Sequence, residues 1–317
     1  MRKVDESKWF MDVSFGSLET VQCALCGSEE AATVSVQRMF GEEFHITSCS
    51  QCGLLFTNPR PTSEWREHFY DSRYNPLMQQ AQREFIYLPP PARVSAYKKL
   101  LEFITGLLPS GSSLLDGGCA AGMFVNMANE AGFRATGCDY ALGAIAYARE
   151  QFGLDLIRAE VQELPVPDES FDLVTLLHVF EHFGNPMKAL REINRVLTPD
   201  GVLLIETVNY LPHYLLEKYF RFLQPMYLKE SGKEMIPWMP FDHYYFWTAS
   251  SITKALTKSG YTDIKTHFIF NYKSEMTEGK VSLPYSIYSA AVGSLFGMTG
   301  GRVNLWNVLL TTARKSS

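Results

Sequence analysis

Two pairs of cysteines have the spacing of metal ligands. Cys23 and Cys26 form the first C-x-x-C pair, Cys49 and Cys52 form the second, and 22 residues separate the two pairs. Thiolates in this arrangement bind zinc, although the central gap is slightly longer than in a C-x2-C-x15–20-C-x2-C ribbon. Because protein thiolates would fill all four positions, the ion would be structural, with no open position for catalysis. We predict one Zn2+ on these four side chains.

A glycine-rich turn, spelled LLDGGCAAG over residues 114–122, follows an apolar segment. A P-loop needs Lys followed by Ser or Thr after its second glycine, and here Met123 and Phe124 follow Gly122. A dinucleotide fingerprint needs a glycine two positions after Gly117, where this chain has Cys119. Neither phosphate-binding interpretation fits the spelling, which leaves the pattern D-x-G-C-x-x-G.

Four further motifs follow this turn in order. Asp139 ends a predicted strand about 20 residues later, where an acid accepts hydrogen bonds from the two hydroxyls of a ribose. The segments AEVQELP at 159–165, FDLV at 171–174 and RVLTPDG at 195–201 complete the series. The five motifs together resemble those of class I S-adenosylmethionine-dependent methyltransferases, over roughly residues 92–270. This chain has Ala120 where that family usually has Gly, and Glu160 where it usually has Asp.

The resemblance implies S-adenosylmethionine as the cofactor. Small residues in the turn would let the backbone approach its methionine and adenosine portions, and Asp116 would supply negative charge near its ammonium and sulfonium groups. Asp139 would bind the ribose, and Glu160 the adenine amino group. The predicted cofactor-binding residues are Asp116, Gly117, Gly118, Cys119, Ala120, Gly122, Asp139, Tyr140, Glu160, Val161 and His178.

Three histidines are the candidate catalytic residues. His178 and His182 belong to an H-x-x-E-H segment, but the β-type run before it argues against the helix of an inverted zinc protease. The segment resembles one that forms a divalent-metal site beside the acceptor in ubiquinone-pathway O-methyltransferases. Those enzymes have Glu where this chain has His178. The third candidate, His243, lies in a segment that in the family often returns to the mouth of the pocket.

One of the three histidines is predicted to take a proton from the acceptor. His182 is the first choice, because it is predicted to begin the helix beyond the fourth strand, where the acceptor should meet the methyl group. A purely structural interpretation is also open. In it, Glu181 and His182 cap and pack the following helix, and His243 is a hydrogen-bonded core residue.

The elements that carry these residues alternate between strand and helix. This alternation predicts an α/β fold: a doubly wound, mostly parallel seven-stranded Rossmann-like sheet, with ligands beyond the carboxyl ends of its strands and a small N-terminal zinc-binding module. The predicted strands are 113–117, 134–139, 154–158, 171–178, 202–207, 261–270 and 304–312. The predicted helices are 64–70, 92–108, 122–131, 142–152, 186–197 and 249–259.

Four segments are predicted along the chain. Residues 1–20 form an N-terminal extension, residues 21–60 the zinc-binding module, and residues 61–91 a linker with a short helix. Residues 92–317 form the methyltransferase domain, in which residues 209–247 hold twelve aromatic side chains and interrupt the alternation. Such an aromatic insertion would exclude water and shape the acceptor pocket.

Composition narrows the partners. The 317-residue chain has 46% hydrophobic residues and a net charge of −5, so it carries no global basic field for nucleic acid. The polar N-terminus is not a secretory signal, and no apolar stretch is suited to span a bilayer, which favours a cytoplasmic location. Peripheral membrane contact and the oligomeric state stay open. A small-molecule acceptor is the expected partner.

Residues 49–61 resemble the zinc-binding head of bacterial methyltransferases that act on sugars and secondary metabolites. The leading function is therefore methyl transfer to a sugar, nucleotide sugar, glycan or secondary metabolite, with oxygen as the favoured acceptor atom. One alternative is a partner-binding zinc ribbon on a retained cofactor fold. A nucleic-acid methyltransferase is less favoured, because the chain is acidic and lacks an Asn/Asp-Pro-Pro-Tyr/Phe motif after strand four.

Overall fold

A computed structural model describes residue 16 and residues 18–39, 41–68, 91–219, 242–267, 292–300, 304–305 and 308–316. The predicted N-terminal extension lies mostly outside the described residues. So do Pro89 and Pro90 of the predicted linker and residues 220–241 of the predicted aromatic insertion.

A seven-stranded sheet forms the centre of the fold. Its strands are β6 (Ser113–Gly117), β7 (Arg134–Asp139), β8 (Ile157–Arg158), β9 (Phe171–Leu177), β10 (Leu197–Val208), β12 (Tyr261–His267) and β13 (Val308–Lys315), and their order in the sheet is β12-β13-β10-β9-β6-β7-β8. The neighbours from β10 to β8 pair in parallel, whereas β13 is antiparallel to both β10 and β12. The prediction of a mostly parallel sheet is therefore confirmed.

The helices cover this sheet through apolar faces. Leu100, Leu101 and Ile104 of one helix pack in a cluster with Leu114 and Leu204 of the strands, all at most 6% exposed. The side chain of Asn185 begins another helix by accepting the Lys188 amide at 3.0 Å, since a cap satisfies an amide with no partner inside the helix. The helices are α1 (Ser63–His68), α2 (Pro91–Thr105), α3 (Met123–Glu130), α4 (Leu142–Phe152), α5 (Pro186–Val196), α6 (Leu211–Tyr219) and α7 (Ala249–Lys258), with a further helical segment at 292–298.

A second, four-stranded sheet has the order β11-β4-β3-β2. Its strands are β2 (Ala31–Met39), β3 (Glu42–Cys49), β4 (Leu55–Thr57) and β11 (Tyr245–Phe246), and a separate pair joins β1 (Leu18–Glu19) to β5 (Arg60–Pro61). Cys49 is the last residue of β3, Cys52 lies in the turn before β4, and Cys23 and Cys26 lie before β2. In the chain, strand β11 follows β10, so this sheet combines strands from before and after the first five strands of the central sheet. Leu25, Leu54 and Phe56 share one buried cluster with Leu203 and Ile205 of β10, so the N-terminal sheet packs on the same core as the central one.

Several element boundaries differ from the sequence-based predictions. Pro91 begins α2, where its fixed φ suits the first helical position, so it is not part of an extended linker. Strand β8 is confined to two residues. Strand β10 extends to twelve residues, because Leu197 pairs with β9 before an irregularity and residues 202–208 pair with β13. His182 ends a 3-10 turn (Phe180–His182), and the following helix begins only at Pro186.

Candidate functional site

The glycine-rich turn leaves β6 at the carboxyl edge of the sheet and contains three residues with positive φ: Gly118 at 70°, Ala120 at 48° and Gly122 at 73°. Glycine adopts this conformation without strain, whereas alanine does so at a cost of about 1 kcal/mol. A Cβ at Gly118 would lie 2.5 Å from Cγ2 of Val179. Glycine is therefore required there both by conformation and by the protein's own packing.

Asp116 lies at the base of the turn and is 4% exposed. Its Oδ1 accepts a hydrogen bond from the Thr175 hydroxyl at 2.7 Å. Burial raises the pKa of Asp116 to about 7, and the Thr175 hydrogen bond only partly opposes this shift. A positive group bound nearby would favour the ionised form.

Asp139, at the end of β7, ties the neighbouring loops together. Its Oδ2 accepts the Ala120 amide and its Oδ1 accepts the Ala141 amide, each at 2.9 Å. Burial raises the pKa of Asp139, and these amides oppose the rise. Both carboxylate oxygens keep a second lone pair, so the side chain can still accept hydroxyl donors.

Glu160, after β8, contacts a residue from outside the sheet domain. Arg66 of α1 donates from Nη2 to Glu160 Oε1 and from Nη1 to the His182 carbonyl oxygen, both at 3.2 Å. Gln162 donates to the other Glu160 oxygen at 2.9 Å. Val161 is 5% exposed and lies beside the turn, where its Cγ2 would be 3.1 Å from a Cβ at Gly117. Arg66 thus bridges the Glu160 segment and the histidine segment.

His178 is the first residue after β9 and has a φ of 54°, an uncommon conformation for a residue other than glycine. Its Nε2 lies 3.0 Å from Glu206 Oε1 and its Nδ1 lies 3.8 Å from Glu181 Oε1. Burial acts to lower the pKa of His178, but these two carboxylates outweigh it and raise the pKa to about 10. Its side chain remains 39% exposed, so a cationic ring is presented at the carboxyl edge.

Glu181 lies among His178, His182 and His243, and we call these four residues the histidine cluster. The Glu181 side chain is buried, at 1% exposed. The Thr207 hydroxyl donates to its Oε2 at 2.8 Å. Burial acts to raise the pKa of Glu181, but His178, His182 and His243 outweigh it and lower the pKa to about 2. The carboxylate is therefore ionised at neutral pH, and its negative charge favours the protonated forms of the histidines around it.

His182 and His243 lie side by side, with ring centroids 4.7 Å apart and nearly perpendicular planes. His182 Nδ1 is 3.1 Å from Asp242 Oδ1 and 3.0 Å from the Asp242 carbonyl oxygen, whereas His243 Nδ1 hydrogen-bonds to the Tyr210 hydroxyl. Burial lowers the pKa of both, but Asp242 raises that of His182 to about 9. Burial and the neighbouring His182 lower the pKa of His243 to about 4. At neutral pH the pair thus combines a cationic and a neutral ring.

Two groups of side chains among the described residues have the donor atoms and spacing of a metal site. In the first, the sulfur atoms of Cys23 and Cys52, and those of Cys26 and Cys49, are 3.4 Å apart, and all four lie within 4.8 Å of one another. Tetrahedral Zn2+ with bonds of about 2.3 Å places its sulfurs about 3.8 Å apart, so the four cysteines fit zinc. The second group is Glu181, His182 and His243, also within 4.8 Å.

The sequence identified the three histidines as candidates from their positions in the chain, and in the structure all three lie around Glu181. It also adds contacts that no motif indicated, namely those of Arg66, Asp242, Tyr210 and Glu206. A buried Glu at the end of β10 was a possible signal for Glu206. The other three depend on contacts between distant parts of the chain, and no local pattern marks them. Among the described residues, no helix has the length and apolar character needed to cross a membrane.

Comparison with known proteins gives the family. The profile described as "Methyltransferase domain" matches residues 91–266. A demethylmenaquinone methyltransferase of Listeria welshimeri is 30% identical over 189 residues, which cover 51% of this chain and 80% of the relative. The malonyl-[acyl-carrier protein] O-methyltransferase of Serratia marcescens is 34% identical over 99 residues, and the match covers 31% of this chain and only 39% of that relative. This chain belongs to the methyltransferase-domain family.

A solved structure supports the fold. It is the 1,6-didemethyltoxoflavin-N1-methyltransferase of Burkholderia thailandensis, which contains 1,6-didemethyltoxoflavin and S-adenosylhomocysteine. The TM-score is 0.51 at 13% identity, and the match covers 84% of this chain and 97% of that one. This likeness shows that the chain has the fold of that methyltransferase, and the matching profile gives the family.

Proposed function

We propose that this protein transfers a methyl group from S-adenosylmethionine to a small-molecule acceptor. The observation that carries the proposal is the position of the histidine cluster, which lies at the carboxyl edge of the same parallel sheet as the glycine-rich turn. Val179, between His178 and the cluster's other members, packs directly on Gly118 of that turn. A cofactor on the turn and an acceptor at the histidines would therefore be neighbours.

For the cofactor, the residues of the first three loops would supply complementary groups. Asp116 would attract the ammonium group, Asp139 would accept from the ribose hydroxyls, and Glu160 would accept from the adenine amino group. When bound, S-adenosylmethionine supplies an electrophilic methyl group on a sulfonium. The chain's own task is then to exclude water and to align the acceptor with that methyl group.

His243 is the proposed base. A base must be unprotonated before it acts, and His243 is the cluster histidine whose pKa is lowered, to about 4, by burial and by His182. With Nδ1–H donating to the Tyr210 oxygen, His243 Nε2 holds the lone pair that accepts the hydroxyl proton as the acceptor oxygen takes up the methyl group. The cationic rings of His178 and His182 would then bind or orient the acceptor. This assignment moves the first choice from His182 to His243.

We favour an acceptor with a hydroxyl, in a sugar, nucleotide sugar, glycan or secondary metabolite. The polar groups of the cluster and its neighbours support this choice, since their carboxylates, imidazoles and phenol can form hydrogen bonds with a hydroxyl. Among the relatives, the one from Serratia marcescens is named for transfer to oxygen on a malonyl group, which supports oxygen as the acceptor atom but not a hydroxyl in particular. The four cysteines are proposed to hold one structural Zn2+ in the N-terminal module.

The direct experiment has two arms. S-adenosylhomocysteine is titrated into the protein by calorimetry, and release of S-adenosylhomocysteine from S-adenosylmethionine is then measured against a panel of hydroxylated sugars and secondary metabolites. On the acceptor found, His243→Gln should lower turnover by at least ~10²-fold with cofactor affinity unchanged. Near-normal turnover of this variant would remove His243 as the base, and absence of S-adenosylhomocysteine binding would remove the whole proposal.

A further inference from the structure

The segment that carries His243 lies between the two sheets. We call residues 242–247 the bridging segment. On one side, the Tyr244 amide donates to the Glu181 carbonyl oxygen at 2.9 Å. On the other side, Tyr245 and Phe246 form β11 and pair with Phe56 and Leu55 of β4. The bridging segment is thus held by the methyltransferase domain and by the cysteine-bearing sheet at once.

Thr57, the last residue of β4, continues this contact beyond the paired residues. Its amide donates to the Tyr244 carbonyl oxygen at 3.0 Å, and its hydroxyl donates to the His243 carbonyl oxygen at 3.1 Å. Thr57 is fully buried, with 0% exposure. A buried carbonyl that loses a hydrogen-bond donor is costly to leave unsatisfied, so the backbone would shift to find another partner. Thr57 is therefore suited to fix the backbone of His243.

The cysteines determine where β4 begins. Cys49 ends β3, and Cys52 precedes β4 by three residues. The tight turn between them is closed by the Gly53 amide donating to the Cys49 carbonyl oxygen at 2.9 Å. Lys254 of α7 also donates to the Cys52 carbonyl oxygen, at 2.7 Å. An ion on Cys49 and Cys52 would hold this turn, and through it the strand that ends at Thr57.

We infer that Thr57 is a positioning residue for His243, and that metal on the four cysteines sets the place of the His243 ring through β4. The inference rests on the proposed function only for its catalytic meaning, since the contacts stand by themselves. It assigns to the N-terminal module a part in the geometry of the acceptor site. Among the described residues, no hydrogen bond joins Asp116 or Asp139 to β4, whereas Glu160 is linked to the histidine segment through Arg66.

The test reads the ring of His243 directly. The protein is labelled in its seven histidines, and the His243 ring cross-peak is assigned by its loss in His243→Gln. In Thr57→Val, which keeps the side-chain shape and removes the hydroxyl, we expect this cross-peak to be displaced. Thr57→Ser, which keeps the hydroxyl, should restore it. S-adenosylhomocysteine affinity should stay within about twofold, as expected for sites without shared partners.

The matched control is Thr47→Val. Thr47 is also buried in this sheet, and its hydroxyl donates to the Phe56 carbonyl oxygen at 3.1 Å, but no hydrogen bond among the described residues joins its side chain to the bridging segment. This variant should leave the His243 cross-peak in place. Equal displacement in both variants would mean general loosening and would overturn the inference, as would an unmoved cross-peak in Thr57→Val.

The metal arm uses the unmodified protein. The bound metal is removed with a chelator, and metal analysis verifies its removal. Loss of the metal should displace the His243 cross-peak in the same direction as Thr57→Val. An unchanged cross-peak in protein shown to be free of metal would overturn the metal part of the inference. If the wild type fails to bind S-adenosylhomocysteine, the proposed function fails, while the displacement still decides the role of Thr57.

Discussion

Asp242 holds His182 through two atoms, its carboxylate Oδ1 and its backbone carbonyl oxygen, at 3.1 and 3.0 Å from the same ring nitrogen. Burial acts to lower the pKa of His182, but Asp242 outweighs it and raises the pKa to about 9. The histidine is therefore a cation at neutral pH. After burial, the charge of His182 is the next cause of the lowered pKa of His243, whereas the carboxylate of Asp242 acts on His243 directly in the opposite direction.

We expect Asp242→Asn to change the pH dependence of stability. A histidine whose pKa is higher in the folded state than in the unfolded state stabilises the fold fully below pH ~6.5, and this contribution is lost as the pH rises to about 9. Urea unfolding measures the free energy of unfolding at pH 6.5 and at pH 9. Between these values it should decline less in the variant than in the wild type, by about 1 to 3 kcal/mol. Equal declines would contradict the ion pair.

Asp139→Ala should weaken S-adenosylhomocysteine binding by about 1 to 3 kcal/mol, because ribose hydroxyls would lose their acceptor. Since Asp139 also accepts the Ala120 and Ala141 amides, thermal unfolding must be measured alongside calorimetry. Asp155→Ala is the control, because its side chain is 77% exposed in a surface pair with Arg149. Unchanged affinity in Asp139→Ala would exclude this residue from the cofactor site.

The affinity for S-adenosylhomocysteine should rise with pH through about 7. Burial raises the pKa of Asp116 to about 7, so the carboxyl is largely protonated at pH 6 and largely ionised at pH 7.5. If the cofactor ammonium pairs with the ionised form, the dissociation constant should fall by up to about eightfold between these values. Asp116→Asn should abolish the dependence, and a variant that keeps the wild-type profile would assign the titration to another group.

Ala120→Gly should leave the free energy of unfolding unchanged or raise it by up to ~1 kcal/mol. Glycine relieves the strain of a φ of 48°, while the greater entropy of its unfolded chain opposes the gain by about 0.4 to 1 kcal/mol. Ala121→Gly is the control, since Ala121 is 3% exposed and has no positive φ. That variant should lose about 1 kcal/mol or more. An equal loss in Ala120→Gly would show that the turn conformation is not strained.

Metal analysis should find one zinc per chain in protein purified without chelator. Cys26→Ser and Cys49→Ser should each lose it, because structural zinc needs all four thiolates. Cys138→Ala, at a buried cysteine of β7 outside the cluster, should retain it. Native protein without zinc, or zinc that survives in both serine variants, would contradict the four-cysteine site.

The sequence identified what is encoded locally. Period and spelling were enough for β6, β7 and the turn with Asp116, because strand and turn preferences act over a few residues. They were not enough for Thr57 or Arg66, whose partners lie 186 and 94 positions away. Nor could they say which histidine is neutral, because that depends on Asp242 facing His182 across the folded chain. The order of pKa values within the cluster is a property of packing and not of any motif.

The pairing of β4 with β11 also bears on how the chain is made. Thr57 and His243 are 186 positions apart, and contacts of such separation require a long loop to close before they stabilise anything. Because β2, β3 and β4 leave the ribosome before β11, the β4 edge of their sheet is unpaired until Tyr245 and Phe246 have been synthesised. The four-stranded sheet, three of whose strands are synthesised early, is thus among the later parts of the protein to complete its pairing.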